Sequence, residues 1–192
     1  YFDGSGDYLN TTSTQIIPAS TTYTVEAWFY FTGTYADFRD IICQGTSGNA
    51  NRWLMYINTT TGVLYIQIGS ASISSGVTIS PGQWYYAAFV NNAGAYNFYV
   101  NGTSVASGTN TTIPQNTTLF IGSFSTGSSE FYHGYISSVR ISNSARTIST
   151  PTNPYVSDAN TRLLLNFTNA GIYDATSKND LETVGNAQIS TT

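Results

Sequence analysis

The first candidates for acid–base chemistry in this sequence are its three glutamates and its single histidine. Hydrolysis of a glycosidic bond needs two carboxylates that face one sugar linkage. Glu26 has no acidic residue two or four positions further along its strand motif, and Glu130 is likewise isolated along the chain. The paired-acid pattern of a glycoside hydrolase is therefore absent, and we expect no catalytic residues. A carboxylate pair assembled from distant loops is the one hydrolytic route left.

Other catalytic and metal patterns are also missing. His133 is the single histidine, and a Ser–His–acid triad around it would need geometry that the sequence does not show. Cys43 lies in the apolar run from Asp40 to Gln44 and predicts a buried structural thiol. No glycine-rich phosphate loop, cysteine pair or His-x-x-x-His spacing occurs, so nucleotide and zinc chemistry are not expected.

Aromatic and polar side chains in the loops are the better candidates for binding. Trp53 follows the polar loop from Gly48 to Arg52, so we expect its ring near the surface, whereas Trp28 and Trp84 lie in apolar strand motifs that predict core packing. A pyranose offers an apolar face and a ring of hydroxyls, which stacked rings and Arg or Asn donors satisfy. The alternative is that these are ordinary half-buried residues of a sandwich. The predicted ligand-binding residues are Trp53, Arg52, Tyr35, Phe38, Arg39, Tyr132 and His133.

Composition narrows the protein class. Charged residues make up 8% of the 192 residues, against a usual figure of about 25%, while hydrophobic residues reach 41% and exclude disorder. Only 6 Lys and Arg stand against 10 Asp and Glu, so no basic patch is available for nucleic acid. No stretch approaches about 18 apolar residues and no charged-then-apolar leader opens the chain, so neither a membrane span nor a signal peptide is expected.

Short strand-like runs alternate with Gly, Asn, Ser and Pro clusters, which is typical of an all-β sandwich. Asn101-Gly102 predicts a type I′ hairpin, because both residues tolerate positive φ, and Thr60-Thr61-Gly62 predicts a second hairpin of the same kind. No long helix is predicted. The predicted strands are 22–32, 40–44, 52–58, 63–68, 83–90, 95–100, 117–121, 132–141 and 162–167.

Six motifs occur in an order that resembles the concanavalin A-like, laminin-G-like jelly-roll family, over residues 1 to about 148. The resemblance implies a two-sheet antiparallel jelly-roll sandwich. The motifs are Tyr1-Phe-Asp-Gly-Ser-Gly-Asp-Tyr-Leu9, Tyr23-Thr-Val-Glu-Ala-Trp-Phe29, Pro81-Gly-Gln-Trp-Tyr-Tyr-Ala-Ala-Phe-Val90, Phe98-Tyr-Val-Asn-Gly102, Leu119-Phe-Ile-Gly122 and Phe131-Tyr-His-Gly-Tyr-Ile-Ser-Ser-Val-Arg-Ile141.

The ends of the chain appear in an unexpected order relative to this family. Stretches like Leu163–Phe167, Asp174–Asp180 and Gly185–Ile189 come before the Phe-Asp-Gly opening in similar modules, but here they come last. We expect a single jelly roll over residues 1–192, with a connector at 147–162 and terminal strands in 163–192 that close the sheet beside residues 1–9. The alternatives are a permuted domain and an excised segment of a longer protein with tandem modules.

The resemblance also raises the question of calcium, which members of this superfamily often bind through an aspartate and backbone carbonyls. Similar sequences carry Gly-x-Ile-Asp-x-Val-Arg-Ile in the penultimate strand, but Ser137 stands where that aspartate is expected. The remaining calcium candidates lie in Gly/Ser/Asn turns, where the alternative is hydrogen bonding to turn amides. These candidates are Asp3, Asp7, Asp174 and Asp180.

Taken together, the sequence favours a non-catalytic module that binds carbohydrate or recognises a receptor, as part of a larger extracellular or virion surface protein. Its Thr/Asn/Gly-rich, lysine-poor composition resembles modules of phage and other viral structural proteins. The expected partners are cell-surface glycans or virion and filament proteins, with self-association left open. The alternative is a purely structural module of a virion decoration, tail fibre or filament.

Overall fold

The computed structural model describes residues 1–125, 130–152, 154–167, 171–187 and 189. These residues form strands separated by turns, and no helix among them has the length and hydropathy needed to cross a membrane. The strands are β1 (Phe2–Asp3), β2 (Tyr8–Thr14), β3 (Tyr23–Phe31), β4 (Arg39–Gln44), β5 (Trp53–Ile57), β6 (Val63–Ile68), β7 (Ala71–Thr78), β8 (Trp84–Asn92), β9 (Ala95–Val100), β10 (Thr103–Thr109), β11 (Thr118–Ile121), β12 (His133–Ser142), β13 (Thr161–Leu165) and β14 (Leu181–Val184).

The strands build two antiparallel sheets of seven strands each. Sheet A has the order β1-β12-β3-β8-β9-β10, with β13 also paired to β12, and sheet B has the order β14-β2-β11-β4-β5-β6-β7. The last strand, β14, pairs with β2 through Val184 and Tyr8, so it forms one edge of sheet B. The predicted all-β jelly-roll sandwich is confirmed.

The core lies between the sheets because each strand alternates inward and outward side chains. In β3, Val25, Ala27 and Phe29 are fully buried in the main core, whereas Trp28 and Tyr30 lie on the other face and are half-buried. The prediction that Trp28 and Trp84 pack in this core is wrong. Trp84, at the first position of β8, is 45% exposed on the outer face of sheet A.

Both predicted hairpins form, but the prediction that the second has the same type I′ turn as the first is wrong. Asn101 and Gly102 have φ of 50° and 79°, and they join β9 to β10 with Val100 opposite Thr103, as a two-residue type I′ turn requires. The second connection is longer than a two-residue turn. It runs from Asn58 to Gly62, and the Asn58 side chain accepts a backbone hydrogen bond from Thr60 at 3.0 Å.

The connector after β12 lies across the outer face of sheet A. Tyr155 is buried with Tyr86, Ala88 and Leu164 in a second hydrophobic cluster, and its ring lies 4.4 Å from the Arg140 guanidinium carbon. This packing fixes the connector on the sheet. It therefore also forms one wall of a groove next to Trp28 and Trp84.

Candidate functional site

Two predicted ligand-binding rings belong to the core. Trp53 is 0% exposed and packs edge-on against Phe89, with ring centroids 6.2 Å apart, and Tyr132 is also fully buried. The prediction that Trp53 lies near the surface is wrong. Trp53 is the first residue of β5 and pairs with Gln44 and Ile68, so the strand alternation turns its side chain inward with those of the neighbouring strands.

Two other predicted residues, Phe38 and Arg52, meet in a cleft of about 170 Å³ on the outer face of sheet B. We call it the β4–β5 cleft. It lies above strands β4 and β5, and it combines aromatic rings with carboxylate, guanidinium and amide groups. Its lining includes Phe38, Asp40, Arg52, Tyr56, Gln67, Phe124 and Glu130.

The other predicted residues, Tyr35, Arg39 and His133, lie outside the lining of the cleft. The Tyr35 hydroxyl donates to the Ile79 carbonyl at 2.6 Å, and the Tyr35 ring packs against the main core. Arg39 donates to the carbonyl of Phe131 at 2.8 Å, so it braces the segment that carries Glu130. His133 lies on sheet A beside Tyr1. The predicted set is thus divided between the cleft, its supports and the opposite sheet.

The Asp40 carboxyl has the most strongly shifted pKa in the cleft. Its side chain is 1% exposed, and Oδ2 is buried with no hydrogen-bond partner among the described residues. Burial raises the pKa of the Asp40 carboxyl well above its usual range, and the negative charge of Glu130 raises it further. Such a buried polar group without a partner is costly in a stable fold and is common where a ligand binds.

Backbone geometry brings Glu130 to Asp40. The Asp40 N–H donates to the Glu130 carbonyl at 3.1 Å, and Glu130 has a φ of 59°. A non-glycine residue in this left-handed region costs free energy, and such outliers concentrate at functional sites. The turn therefore places two acidic side chains from distant parts of the chain in one cleft.

Arg52 supplies the positive charge. The chain at Gly45 approaches it so closely that a Cβ at Gly45, where φ is 140°, would lie 2.5 Å from the Arg52 Cβ. The glycine is therefore needed for this loop to pack. Arg52 Nε is buried without a hydrogen-bond partner in the described part of the chain, which leaves a donor for an incoming acceptor.

The aromatic side of the cleft is built by cross-strand packing. The Phe38 and Tyr56 rings meet edge to face, with centroids 5.6 Å apart and planes at 74°. Tyr56 in turn stacks on Tyr65 of the next strand at 5.6 Å. Such pairs hold the rings in place, so a ligand meets a preformed apolar wall.

The raised pKa of Asp40 predicts a pH dependence of stability. The folded protein holds the Asp40 proton more tightly than the unfolded chain, so the free energy of unfolding falls as the pH rises from near 3.8 through the folded pKa. Each pKa unit is worth about 1.4 kcal/mol. We expect Asp40→Asn to stabilise the protein at pH 8 and to change little at pH 4, in urea denaturation at both pH values.

Glu182→Gln is the matched control, because it removes an exposed carboxylate from β14. Glu182→Gln should show the same pH dependence of the free energy of unfolding as the wild type. A profile of Asp40→Asn that parallels the wild type would contradict a buried, proton-binding Asp40.

The four predicted calcium ligands are not brought together. No group of three or more His, Cys, Asp or Glu side chains within the described residues could hold a metal ion. Asp7 accepts hydrogen bonds from the Asp3 and Asn186 amides. Although burial opposes it, hydrogen bonds from Thr176, Leu164 and Asn179 lower the pKa of Asp174 below its usual range. The Asp7 and Asp174 carboxylates accept hydrogen bonds from turn groups, which is the alternative that the sequence left open, and calcium binding through a single aspartate and backbone carbonyls stays a prediction.

Asp40 and Glu130 were the residues that sequence reasoning missed. The ladder between β4 and β5 shifts register between Asp40 and Ile42, so Ile41 and Ile42 both reach the core and the period-two pattern breaks. An acidic residue at the start of an apolar strand was the available signal. Glu130 gave no local signal, because its partner lies in a distant strand.

A family model described as the concanavalin A-like lectin/glucanases superfamily, of the laminin G type, matches residues 3–150. The chain belongs to this superfamily. The match covers the strands that form most of both sheets, and it includes β4, β5 and Glu130. A search of curated proteins gave no match to the sequence.

Solved structures share the fold of this superfamily member at low sequence identity. A candidate carbohydrate binding protein from Bacteroides ovatus has a TM-score of 0.77 and 20% identity, over 100% of this chain and 61% of its own length. Domain 4 of an extracellular arabinanase from Geobacillus stearothermophilus, solved with arabinotriose, has a TM-score of 0.58 and 20% identity, over 74% and 70%. A heptameric pentraxin from Limulus polyphemus has 0.56 and 20%, over 85% and 92%.

Proposed function

We propose that this chain is a non-catalytic carbohydrate-binding module and that a sugar binds in the β4–β5 cleft. The observation that carries the proposal is the buried Asp40 Oδ2, which has no hydrogen-bond partner in the described part of the chain. Asp40 lines the same cleft as the rings of Phe38 and Tyr56. A sugar hydroxyl can donate to this carboxyl oxygen while an apolar sugar face packs on a ring. The similarity to carbohydrate-binding structures supports this reading.

Charge limits the class of sugar. Arg52 is the one basic side chain that lines the cleft within the described residues, beside the two acidic groups Asp40 and Glu130, so the cleft offers no surplus of positive charge to an anionic sugar. A neutral sugar needs no such charge, because its hydroxyls can donate to carboxyl oxygens and accept from Arg52 Nε. We therefore propose a neutral glycan as the ligand.

The same acids do not make a hydrolase in this proposal. Hydrolysis needs two carboxyl groups that flank the scissile bond, about 5–5.5 Å apart in retaining enzymes and further apart in inverting enzymes. Asp40 and Glu130 instead come from adjoining backbone, where the Asp40 N–H donates to the Glu130 carbonyl at 3.1 Å. Glu26 is occupied by Tyr86 and Arg140, with hydrogen bonds of 2.7 Å from each. We therefore propose that Asp40 and Glu130 bind a sugar without cleaving it.

The proposal is tested on a broad glycan array with the purified chain, in calcium and again after chelation. We expect saturable binding to one class of neutral glycan that survives chelation, because the groups that meet the sugar in this proposal are side chains of the cleft. Silence of the folded chain across the array would overturn the proposal and favour a structural role. Loss of binding on chelation would overturn the metal-independent site.

Arg52→Ala should weaken binding to the best array ligand by about tenfold or more, because hydrogen bonds to charged groups contribute about 1.5–3 kcal/mol. Titration calorimetry of wild type and variant measures the effect. Arg162→Ala is the matched control, since Arg162 is exposed in β13, away from the cleft. Equal affinities for Arg52→Ala and the wild type would exclude Arg52 from the site.

The wider setting is also a proposal. We propose that the module acts outside the cell as part of a larger surface protein, and the extracellular arabinanase of similar fold supports this setting. Attachment to a virion and recognition of a protein receptor stay predictions from the sequence.

A further inference from the structure

The outer face of sheet A carries a row of aromatic rings that the β4–β5 cleft does not use. Tyr135, Tyr30 and Trp84 are direct cross-strand neighbours on β12, β3 and β8. Ring centroids lie 5.9 Å apart for Tyr135 and Tyr30 and 5.5 Å apart for Tyr30 and Trp84. Tyr1 extends the row, 4.9 Å from Tyr135. The rings therefore form one continuous strip across the sheet.

At its Trp84 end the strip opens into a groove of about 400 Å³, which we call the indole groove. Trp28 and Trp84 lie on the sheet side, and Pro151 and Pro154 of the connector lie opposite. Trp84 is 45% exposed, which is unusual for the largest apolar side chain at the start of a central strand. The connector thus turns a flat sheet face into a channel.

Polar groups accompany the rings in the indole groove. Ser137 is exposed at the point where β12 shifts register against β3, and Asn166 donates its Nδ2 to the Tyr155 carbonyl at 3.2 Å, which fixes its amide beside the groove. The described residues that line the groove carry no charge. Its ligand is therefore neutral, with both apolar faces and hydrogen-bonding groups.

We infer that the indole groove and its aromatic strip bind a neutral, linear oligosaccharide, as a second site on the sheet opposite the β4–β5 cleft. A groove of this volume suits a small or chain-like ligand, whereas a protein partner needs a broad surface of about 800 Å² per side. The row of rings gives successive sugar units an apolar surface, and Ser137 supplies a hydroxyl at its side. The inference does not depend on the β4–β5 cleft.

The three tryptophans make this site directly observable. Trp53 is fully buried, and the other two, Trp28 and Trp84, both line the indole groove. Acrylamide quenching of tryptophan fluorescence therefore reports the groove, since a buried core indole is shielded from the quencher. The probes are cellohexaose, xylohexaose, mannohexaose and maltohexaose.

We expect one of these hexasaccharides to protect the wild type from acrylamide, and to protect Arg52→Ala equally, because Arg52 lies on the opposite sheet. In titration calorimetry, Trp84→Ala should weaken binding of that hexasaccharide by about tenfold or more, since it removes the stacked ring. Tyr173→Ala is the matched control, because it removes a ring that is 52% exposed and lies outside the groove.

Quenching that no hexasaccharide changes would overturn the indole groove as a glycan site, whatever the array shows for the cleft. Protection that disappears in Arg52→Ala would also overturn it, because the signal would then come from the cleft. A proline-rich peptide that protects the indoles where every hexasaccharide fails would assign the groove to a protein ligand instead.

Discussion

Trp53→Ala should lower the free energy of unfolding by about 3–5 kcal/mol, the range found when a large buried aromatic is truncated. Trp53 is 0% exposed and packs between the sheets against Phe89. Its removal leaves a cavity that the β-sandwich cannot close, since both sheets are held by their hydrogen-bond ladders. Urea denaturation followed by circular dichroism measures the change in midpoint and slope.

Trp84→Ala is the control for the same residue type. Trp84 is 45% exposed on the outer face of sheet A, so its truncation opens no closed cavity and should cost about 1 kcal/mol or less. Equal losses for the two variants would contradict the inward orientation of Trp53. A Trp53→Ala variant that folds normally would contradict it as well.

Arg140→Ala should have an effect of similar size, about 3–5 kcal/mol, because it leaves a buried carboxylate without its cation. Glu26 is 1% exposed and accepts hydrogen bonds from Arg140 at 2.7 Å and 3.0 Å. The Tyr155 ring also packs on the Arg140 guanidinium, so the variant removes a contact that holds the connector on the sheet. The midpoint of urea unfolding at pH 7 measures the loss.

A double variant separates the charge from the packing. Glu26→Leu combined with Arg140→Met removes both charges and keeps apolar volume, and such replacements of buried ion pairs are often neutral or stabilising. We expect the double variant to be more stable than Arg140→Ala. If it were less stable, the connector would depend on the ion pair itself, and the uncompensated charge would not explain the loss.

The fold was largely predictable because its strands follow hydrophobic alternation and its turns use residues with left-handed backbone. Asn101-Gly102 shows both effects, since the pair identifies the turn and the flanking residues identify the strands. The edge strands β7 and β10 were harder to predict. They are rich in Ser and Thr and mostly exposed, so they offer little hydrophobic pattern, and tertiary pairing decides them.

The candidate site was predictable only in part. Phe38 and Arg52 could be proposed from their loops, because ring and guanidinium chemistry is visible in the sequence. Asp40 could not be assigned, because a bulge in β4 interrupts the alternation that tells which face a residue takes. Trp53 and Trp84 were misplaced for a related reason. Both lie at the first residue of a strand, where neighbouring loop residues do not show the direction of the side chain.

The measurement that tests the account most directly is an amide chemical-shift map, recorded by ¹⁵N–¹H NMR, with the best neutral glycan from the array. We expect the largest shifts at Phe38, Asp40, Arg52 and Glu130, with saturation at a single affinity for these residues. The same map on Arg52→Ala should lose these shifts while the spectrum of the folded protein is otherwise preserved. Shifts that leave all four residues unmoved would contradict the β4–β5 cleft as a carbohydrate site of this module.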